Sequence, residues 1–383
     1  MANNREEKVV NRKPTGRKEI AGGMTKEELI SILRYMMLSR AIDEKILRML
    51  KQGKVFFHIG CAGHEAIQVA MARALKPGYD WAFPYYRGLA FSLTLGIKPE
   101  EVFLHSLGKA DDLFTGGRQM PGHYGSKALN IPTQSSPTGS QYLQAVGCAL
   151  ASVKLGKDEV TFVSSGEGAT SEGEFHEAIN WASREKLPVI FLIENNRWAI
   201  SVPVENQVAG EGGSVYEMTK GYKNLLRLKV DGTNFLESNV ASVSAVKYAR
   251  SGQGPVLIEA DVVRLLPHSS SDDHRKYRSP EELEMDRQKD PIVRFKNLLI
   301  EKEVLTELAY KELEKEVHDR VEEAAAWAET APDPKPETAL LNVFSDSINR
   351  KDIVYEKNEN PGKPIVMVDA INHALKEELE RHP

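Results

Sequence analysis

The chain is poor in cysteine: Cys61 and Cys148 are the only two in 383 residues. Two thiols exclude a disulfide framework and a four-cysteine zinc site. Reduced thiols in a cytoplasmic protein are the simplest reading of so few. No apolar run approaches the roughly eighteen residues that a membrane-spanning helix needs, so no membrane association is expected. The opening Met1–Lys8 lacks the apolar centre of a signal peptide, and Glu6 and Glu7 argue against a transit peptide. An excess of either charge is missing too: 50 Lys and Arg face 55 Asp and Glu, a net of −5, which leaves no basic footprint for nucleic acid. What remains is ordinary for a globular protein, 41% hydrophobic and 27% charged. The length suits one large α/β domain with appendages.

The informative stretch is Gly166-Glu167-Gly168, a spacer of residues 169–194, and Asn195-Asn196. Two apolar runs, 160–163 and 188–193, bracket it. Both are short, rich in β-branched and aromatic residues and bounded by Gly or Pro, so both read as buried parallel strands. Between them Phe175, Ala178, Ile179 and Ala182 recur at helical spacing, and Ser171-Glu172-Gly173-Glu174 offers that helix a capping box. The unit is strand, glycine turn, helix, strand, with oxygen-bearing side chains where both strands end. Ligands sit there in open α/β sheets.

The residue types point to a metal-bridged anion. Glycine lets a backbone approach a ligand closely, and a helix N-terminus favours anions. Glu167 and Asn196 end in oxygens, which suit Mg²⁺, a cation that takes about six oxygens and is usually completed by phosphates. An ordinary βαβ crossover with a Gly turn and surface carboxamides would carry the same pattern, since a lone Gly-x-Gly is weak.

Residues 1–23 read as a flexible polar arm. Thr25 to Glu28 form a capping box opening a helix that carries Leu29, Ile32, Leu33, Met36 and Met37 and continues through Ile42, Ile46 and Leu50. A second helix covers residues 65–75. The doubly wound core spans 81–265, its later strands at 227–230 and 255–261. From 291 to 328 the pattern is helical and heavily charged, and reads as a solvated face. Residues 331–336 signal a stiff linker, and 331–363 is linker-like throughout. Residues 364–383 restart a folded pattern, with Ile371, Leu375 and Leu379 on one face of an amphipathic helix.

Further constellations carry chemistry. Tyr86 and Arg87 precede a helix, and an arginine can grip a phosphate through two N–H groups; a surface arginine capped by aromatics is the plainer alternative. His123 lies in a Gly-rich loop, 116–125, and an isolated histidine is more often structural. Residues 135–141 hold hydroxyls and a carboxamide suited to a turn or to a monovalent cation. The polar stretch 267–278, as a bare string, is a flexible loop without apolar anchors.

Gly166-Glu167-Gly168, the spacer and Asn195-Asn196 resemble the thiamine diphosphate signature, usually Gly-Asp-Gly with Asn-Asn after a spacer of this length. The fuller string from Gly166 to Asn180 is similar to the α subunits of 2-oxo acid dehydrogenase decarboxylase components, and the resemblance runs from about Met24 to Ala328. Glu at 167 is the branched-chain version. The resemblance implies a thiamine-diphosphate-binding α/β fold, a parallel sheet flanked by helices with N-terminal helices and a helical C-terminal extension. It implies Mg²⁺ on Glu167, Asn196 and the main chain of Trp198. It implies cofactor contacts from Tyr86, Arg87, Ser136, Thr138, Gly166, Gly168, Ala169 and His268, catalytic roles for His268 and His123, and K⁺ on Ser135, Ser140 and Gln141.

The implied activity is oxidative decarboxylation of a 2-oxo acid, branched-chain first and pyruvate second, with acyl transfer to the lipoyl group of an acyltransferase component. The implied assembly is of the α2β2 type, with a β subunit or a fused β portion. Residues 364–383 resemble the opening of such a β portion, so the chain is expected to be the front of an α–β fusion; a helix packing on its own domain is the alternative. Two departures keep the pyruvate reading alive: Thr138, where the branched-chain pattern is apolar, and Glu194, where it carries Arg. Acetoin dehydrogenase is a further related enzyme. A non-catalytic half that only assembles with a partner is the reading of another class.

Overall fold

The computed structural model describes residues 22–134, 136–341 and 365–381. It divides into two units, one running to Lys335 and the other starting at Pro336. In the first, the apolar runs become strands because β-branched and aromatic side chains fill both faces of a sheet that is buried on both sides. The strands are β1 (Trp81–Phe83), β2 (Thr161–Gly166), β3 (Val189–Asn195), β4 (Trp198–Ala199), β5 (Val202–Pro203), β6 (Leu226–Asp231) and β7 (Val256–Asp261). Five form one parallel sheet in the order β1-β2-β3-β7-β6. β4 and β5 make an antiparallel pair just after β3.

The helices are α1 (Lys26–Lys51), α2 (Glu65–Ala74), α3 (Leu89–Leu95), α4 (Pro99–Leu107), α5 (Gln141–Lys154), α6 (Gly173–Glu185), α7 (Val215–Met218), α8 (Phe235–Arg250), α9 (Pro280–Gln288), α10 (Pro291–Glu301), α11 (Glu307–Glu329) and α12 (Met367–Arg381). Alternate strand residues sort to opposite faces. Phe162, Ile190, Leu192 and Ile258 join a core completed by α1 to α4, α8, α10 and α11. Val163, Phe191, Ile193 and Leu257 join a second core with α5 and α6. The expected sheet flanked by helices is present. β6 follows β3 in sequence but lies at the far edge, and β7 returns between them. The loops after β1, β2, β3 and β7 therefore open together at the carboxyl ends of the strands, beside the reversal in strand order.

Two local expectations need correction. α1 is capped as its sequence predicts, with Glu28 N–H donating to the Thr25 hydroxyl and Thr25 N–H to the Glu28 carboxylate. α6 is not capped by Ser171. Residues Glu167–Ser171 form a 3-10 turn, which moves the cap position to Glu172, and the Ser171 hydroxyl donates to the Gln207 carbonyl at 3.3 Å. Nor is 291–328 simply a solvated face. α11 buries Leu313, Val317, Val321, Ala324, Ala325 and Ala328. Its carboxylates meet the basic side of α1 and the turn after it, where Arg34 pairs with Glu316, Lys45 and Arg48 with Glu322, and Lys54 with Glu329. Such a pairing across most of the chain length leaves no local trace in sequence.

In the second unit, Pro336–Leu340 is a 3-10 turn within the expected linker, and residues 342–364 lie outside the described residues. α12 is the expected amphipathic helix; Ile371, Leu375 and Leu379 are 51%, 59% and 71% exposed. No helix among the described residues is long and apolar enough to cross a membrane.

Candidate active site

A cavity of about 530 Å³ opens at the carboxyl ends of β1, β2 and β3. Its floor is the Gly-Glu-Gly turn. Glu167 leaves β2 almost fully buried, and its Oε2 accepts the Asn196 main-chain N–H at 3.1 Å. Oε1 is buried with no hydrogen-bond partner among the described residues. Burial raises the carboxyl pKa; the N–H of Asn196 and the guanidinium groups of Arg264 and Arg87 oppose that rise. A buried carboxylate oxygen without a donor is costly unless a charge completes it. The Asn196 amide oxygen accepts the Trp198 N–H at 3.2 Å, which brings Trp198 to the same floor. Gly166, Gly168 and Ala169 line the cavity. A Cβ on Gly168 would fall 2.5 Å from the Ala199 Cβ, so only glycine lets the turn and β4 approach this closely.

Arg87 forms the wall. It is 2% exposed, which rules out a surface arginine. Its Nη1 donates to the Gly60 carbonyl at 2.6 Å, and its Nη2 reaches the His268 carbonyl at 3.2 Å and His268 Nδ1 at 3.4 Å. No carboxylate forms an ion pair with it among the described residues, so the buried guanidinium that lines the cavity rests on carbonyl and imidazole acceptors. Burial, with Arg87 and Arg264 nearby, lowers the His268 pKa from 6.5 to about 4. The imidazole is therefore neutral near pH 7, and because Nδ1 accepts from Arg87, its proton sits on Nε2. The Tyr86 ring lies edge-on to His268 at 6.2 Å and under the Arg87 guanidinium at 5.7 Å. The residues present fit a metal-bound diphosphate: a glutamate with an orphaned carboxylate oxygen, an arginine that no described carboxylate pairs with and a turn without a Cβ line one cavity.

His123 also lines the cavity. Its Nδ1 donates to the Met120 carbonyl at 2.9 Å, which leaves Nε2 as the free ring position, and burial lowers its pKa. Ser136 and Thr138 lie on the exposed rim. Gln141 lines the cavity and donates to the Ser164 carbonyl at 3.1 Å. Ser140 stands outside the lining, its hydroxyl donating to the Pro137 carbonyl at 2.9 Å. Ser135 lies outside the described residues.

Glu194 does not touch the cavity. It is 1% exposed on β3 and accepts from His64 Nδ1 at 2.7 Å, Gln68 Nε2 at 2.8 Å and the Tyr85 hydroxyl at 3.3 Å. Gln68 also donates to the Arg87 carbonyl at 3.0 Å, so Glu194 supports the wall from below.

The stretch 267–278 has polar anchors in place of apolar ones. Asp272 accepts the His268 N–H at 2.9 Å and the Tyr277 hydroxyl at 2.5 Å. Arg278 donates to the Arg264 carbonyl at 3.1 Å and to Asp286 at 2.6 Å. Sequence reasoning missed Arg264, whose guanidinium donates to the carbonyls of Trp198 at 3.3 Å and Ile200 at 3.0 Å and to the Tyr277 hydroxyl at 2.8 Å. Its signal was one charge inside the apolar run Val262-Val263-Arg264-Leu265-Leu266.

Residues 33–337 match the model of the dehydrogenase E1 component family. The chain is 41% identical over 323 residues to the 2-oxoisovalerate dehydrogenase subunit alpha of Bacillus subtilis, covering 84% of this chain and 97% of that protein. It is 37% identical over 286 residues to the 3-methyl-2-oxobutanoate dehydrogenase subunit alpha of Mycobacterium tuberculosis, 75% of this chain and 74% of the relative. Against the pyruvate dehydrogenase E1 component subunit alpha of Bacillus subtilis the identity is 33% over 326 residues, 85% of this chain and 84% of the relative. With the signature turn, the parallel sheet and the cavity at its carboxyl edge, these matches make the chain a member of the dehydrogenase E1 component family, which is thiamine diphosphate dependent.

Proposed function

We propose that this chain is the α subunit of a branched-chain 2-oxo acid dehydrogenase, which oxidatively decarboxylates substrates such as 3-methyl-2-oxobutanoate. It works with a β subunit in an α2β2-type assembly and delivers the acyl group to a lipoyl acyltransferase component. The reading places it in the cytoplasm, in keeping with its sparse thiols. The observation that carries the chemistry is that Glu167, whose buried Oε1 has no hydrogen-bond partner among the described residues, lines the same cavity as Arg87, which no carboxylate among them pairs with. The greater identity to the 2-oxoisovalerate than to the pyruvate relative of one organism supports the substrate class.

When bound, thiamine diphosphate supplies the carbanion chemistry by which a 2-oxo acid loses CO₂. The chain supplies binding and orientation. Glu167, the Asn196 amide and the Trp198 carbonyl hold Mg²⁺, whose charge offsets the cost of the buried carboxylate. Arg87 and Tyr86 take the diphosphate, with Ser136, Thr138 and the main chain of Gly166, Gly168 and Ala169 around it. His268 offers its Nε2–H as a donor, and His123 presents Nε2 to the substrate. Ser135, Ser140 and Gln141 hold K⁺ at the start of α5. Glu194 is buried beneath the wall, so it can act on substrate choice only through its neighbours. Thr138 on the rim and Glu194 beneath the wall are the two departures that favour pyruvate.

The test is decarboxylation of pyruvate and of 3-methyl-2-oxobutanoate by this chain with thiamine diphosphate and Mg²⁺, alone and with a β subunit. Turnover should need the β subunit and favour the branched substrate. Preference for pyruvate would overturn the substrate class, and no turnover of either by the assembled pair would favour a non-catalytic assembly half.

A further inference from the structure

Asp43, on α1, is fully buried and commits both carboxylate oxygens to one short segment. Oδ1 lies 2.9 Å from His58 Nε2, and Oδ2 accepts the Cys61 N–H at 2.7 Å. That segment, residues 57–61, reaches the cavity on two sides. The Gly60 carbonyl holds Arg87 Nη1 at 2.6 Å. His58 exchanges two hydrogen bonds with Ser270: its N–H donates to the Ser270 hydroxyl at 3.0 Å, and its carbonyl accepts the Ser270 N–H at 2.8 Å. Around Gly60 the fit is close, since a Cβ there would come 2.7 Å from Leu266 Cδ1 and 3.0 Å from Asp43 Oδ2. The segment is thus clamped between α1 and the chain leading to His268.

A helix packing against a core is stabilised more simply by an apolar residue than by a buried carboxylate, even a hydrogen-bonded one. No lysine or arginine pairs with Asp43 among the described residues. The carboxylate therefore serves the segment it holds. We propose that Asp43 is a positioning residue for the site: through His58 and Cys61 it fixes the Gly60 carbonyl that aims Arg87 and the His58–Ser270 bonds that hold the stretch 267–278. The proposal rests on the reading of Arg87 and His268 as cofactor contacts.

The experiment uses the full chain, with its β subunit for the binding arm, and the variants Asp43→Leu, Asp43→Asn, Ser270→Ala and Arg87→Ala. Limited proteolysis of the chain without cofactor compares cleavage at Arg275 and Lys276 with cleavage elsewhere, and calorimetry follows thiamine diphosphate binding. Asp43→Leu should raise the loop-to-elsewhere cleavage ratio and weaken binding, each about tenfold. Asp43→Asn should fall between, because its amide oxygen still accepts the Cys61 N–H. Ser270→Ala, at a half-buried site, should raise the cleavage ratio several-fold, about what one lost hydrogen bond gives; with Asp43→Asn it decides the matter if Asp43→Leu does not fold. A uniform rise in cleavage at all sites would mean general destabilisation and overturn the proposal. So would a wild-type ratio and affinity in the Asp43 variants while Arg87→Ala binds poorly. Normal binding by Arg87→Ala would instead overturn the cofactor-contact reading, and the cleavage ratio would still test the positioning role.

Discussion

Glu167 and Asn196 are joined by a single hydrogen bond, 3.1 Å from the Asn196 main-chain N–H to Glu167 Oε2, across the carboxyl ends of two adjacent parallel strands. The bond fixes one carboxylate oxygen and leaves the other buried without a partner among the described residues. Glu167→Ala should therefore weaken Mg²⁺ and thiamine diphosphate binding together, by more than about tenfold. It should change the stability of the cofactor-free chain little, since the loss of an unsatisfied buried oxygen is offset by the Asn196 N–H left without its acceptor. Calorimetric titration and thermal melting check the two halves; unchanged affinity would remove Glu167 from the metal site.

Arg87→Lys should bind the cofactor less well than the parent and better than Arg87→Ala. Lysine keeps the charge but loses the planar fork, and with it the simultaneous grip on the Gly60 and His268 carbonyls. Equal affinities for the two variants would exclude a bidentate contact.

Acid should expose the cost of burying His268. Its folded pKa of about 4 lies below the ordinary 6.5, so between those values the unfolded chain binds the extra proton. The contribution of the neutral imidazole to stability is complete above about pH 6.5 and is lost as pH falls towards 4. Urea unfolding at pH 7 and pH 5 should show a larger acid loss for the parent than for His268→Gln. Identical losses would place the imidazole in solvent.

Glu194→Ala should cost stability and spare substrate choice. It leaves His64, Gln68 and the Tyr85 hydroxyl without their common acceptor. Burial holds the His64 pKa below its ordinary value, so the loss is that of unsatisfied buried donors, about 1–3 kcal/mol for each. Competition between pyruvate and 3-methyl-2-oxobutanoate in the assembled enzyme should be unchanged. A shift towards either substrate would show that the wall transmits to the pocket.

Much of the framework was legible because it is local. Ile190, Phe191, Leu192 and Ile193 announce a doubly buried strand, and Thr25 with Glu28 announce a helix start. The signature turn and Asn196 fall where two such strands end. The rest depends on contacts that no window of sequence contains. Ser171 looked like a cap because its spacing to Glu174 is right, yet a 3-10 turn shifts the helix start. Glu194 stood out because the resembling branched-chain pattern carries Arg there. Its side chain instead points under the wall towards His64, 130 residues away. The stretch 267–278 lacks apolar anchors as expected, but Asp272, Tyr277 and Arg278 supply polar ones.

The order of the sheet bears on how the protein is made. β7 lies between β3 and β6, so β6 has no neighbour until residues 256–261 arrive. During synthesis β1, β2 and β3 can pair first, while the free edge of β3, apolar on both faces, waits for a strand about sixty residues downstream. The sheet closes only when β7 slides in beside it. Non-local parallel pairing of this kind folds slowly, so the nascent chain must keep that edge from joining another chain for as long as β7 is still in the ribosome.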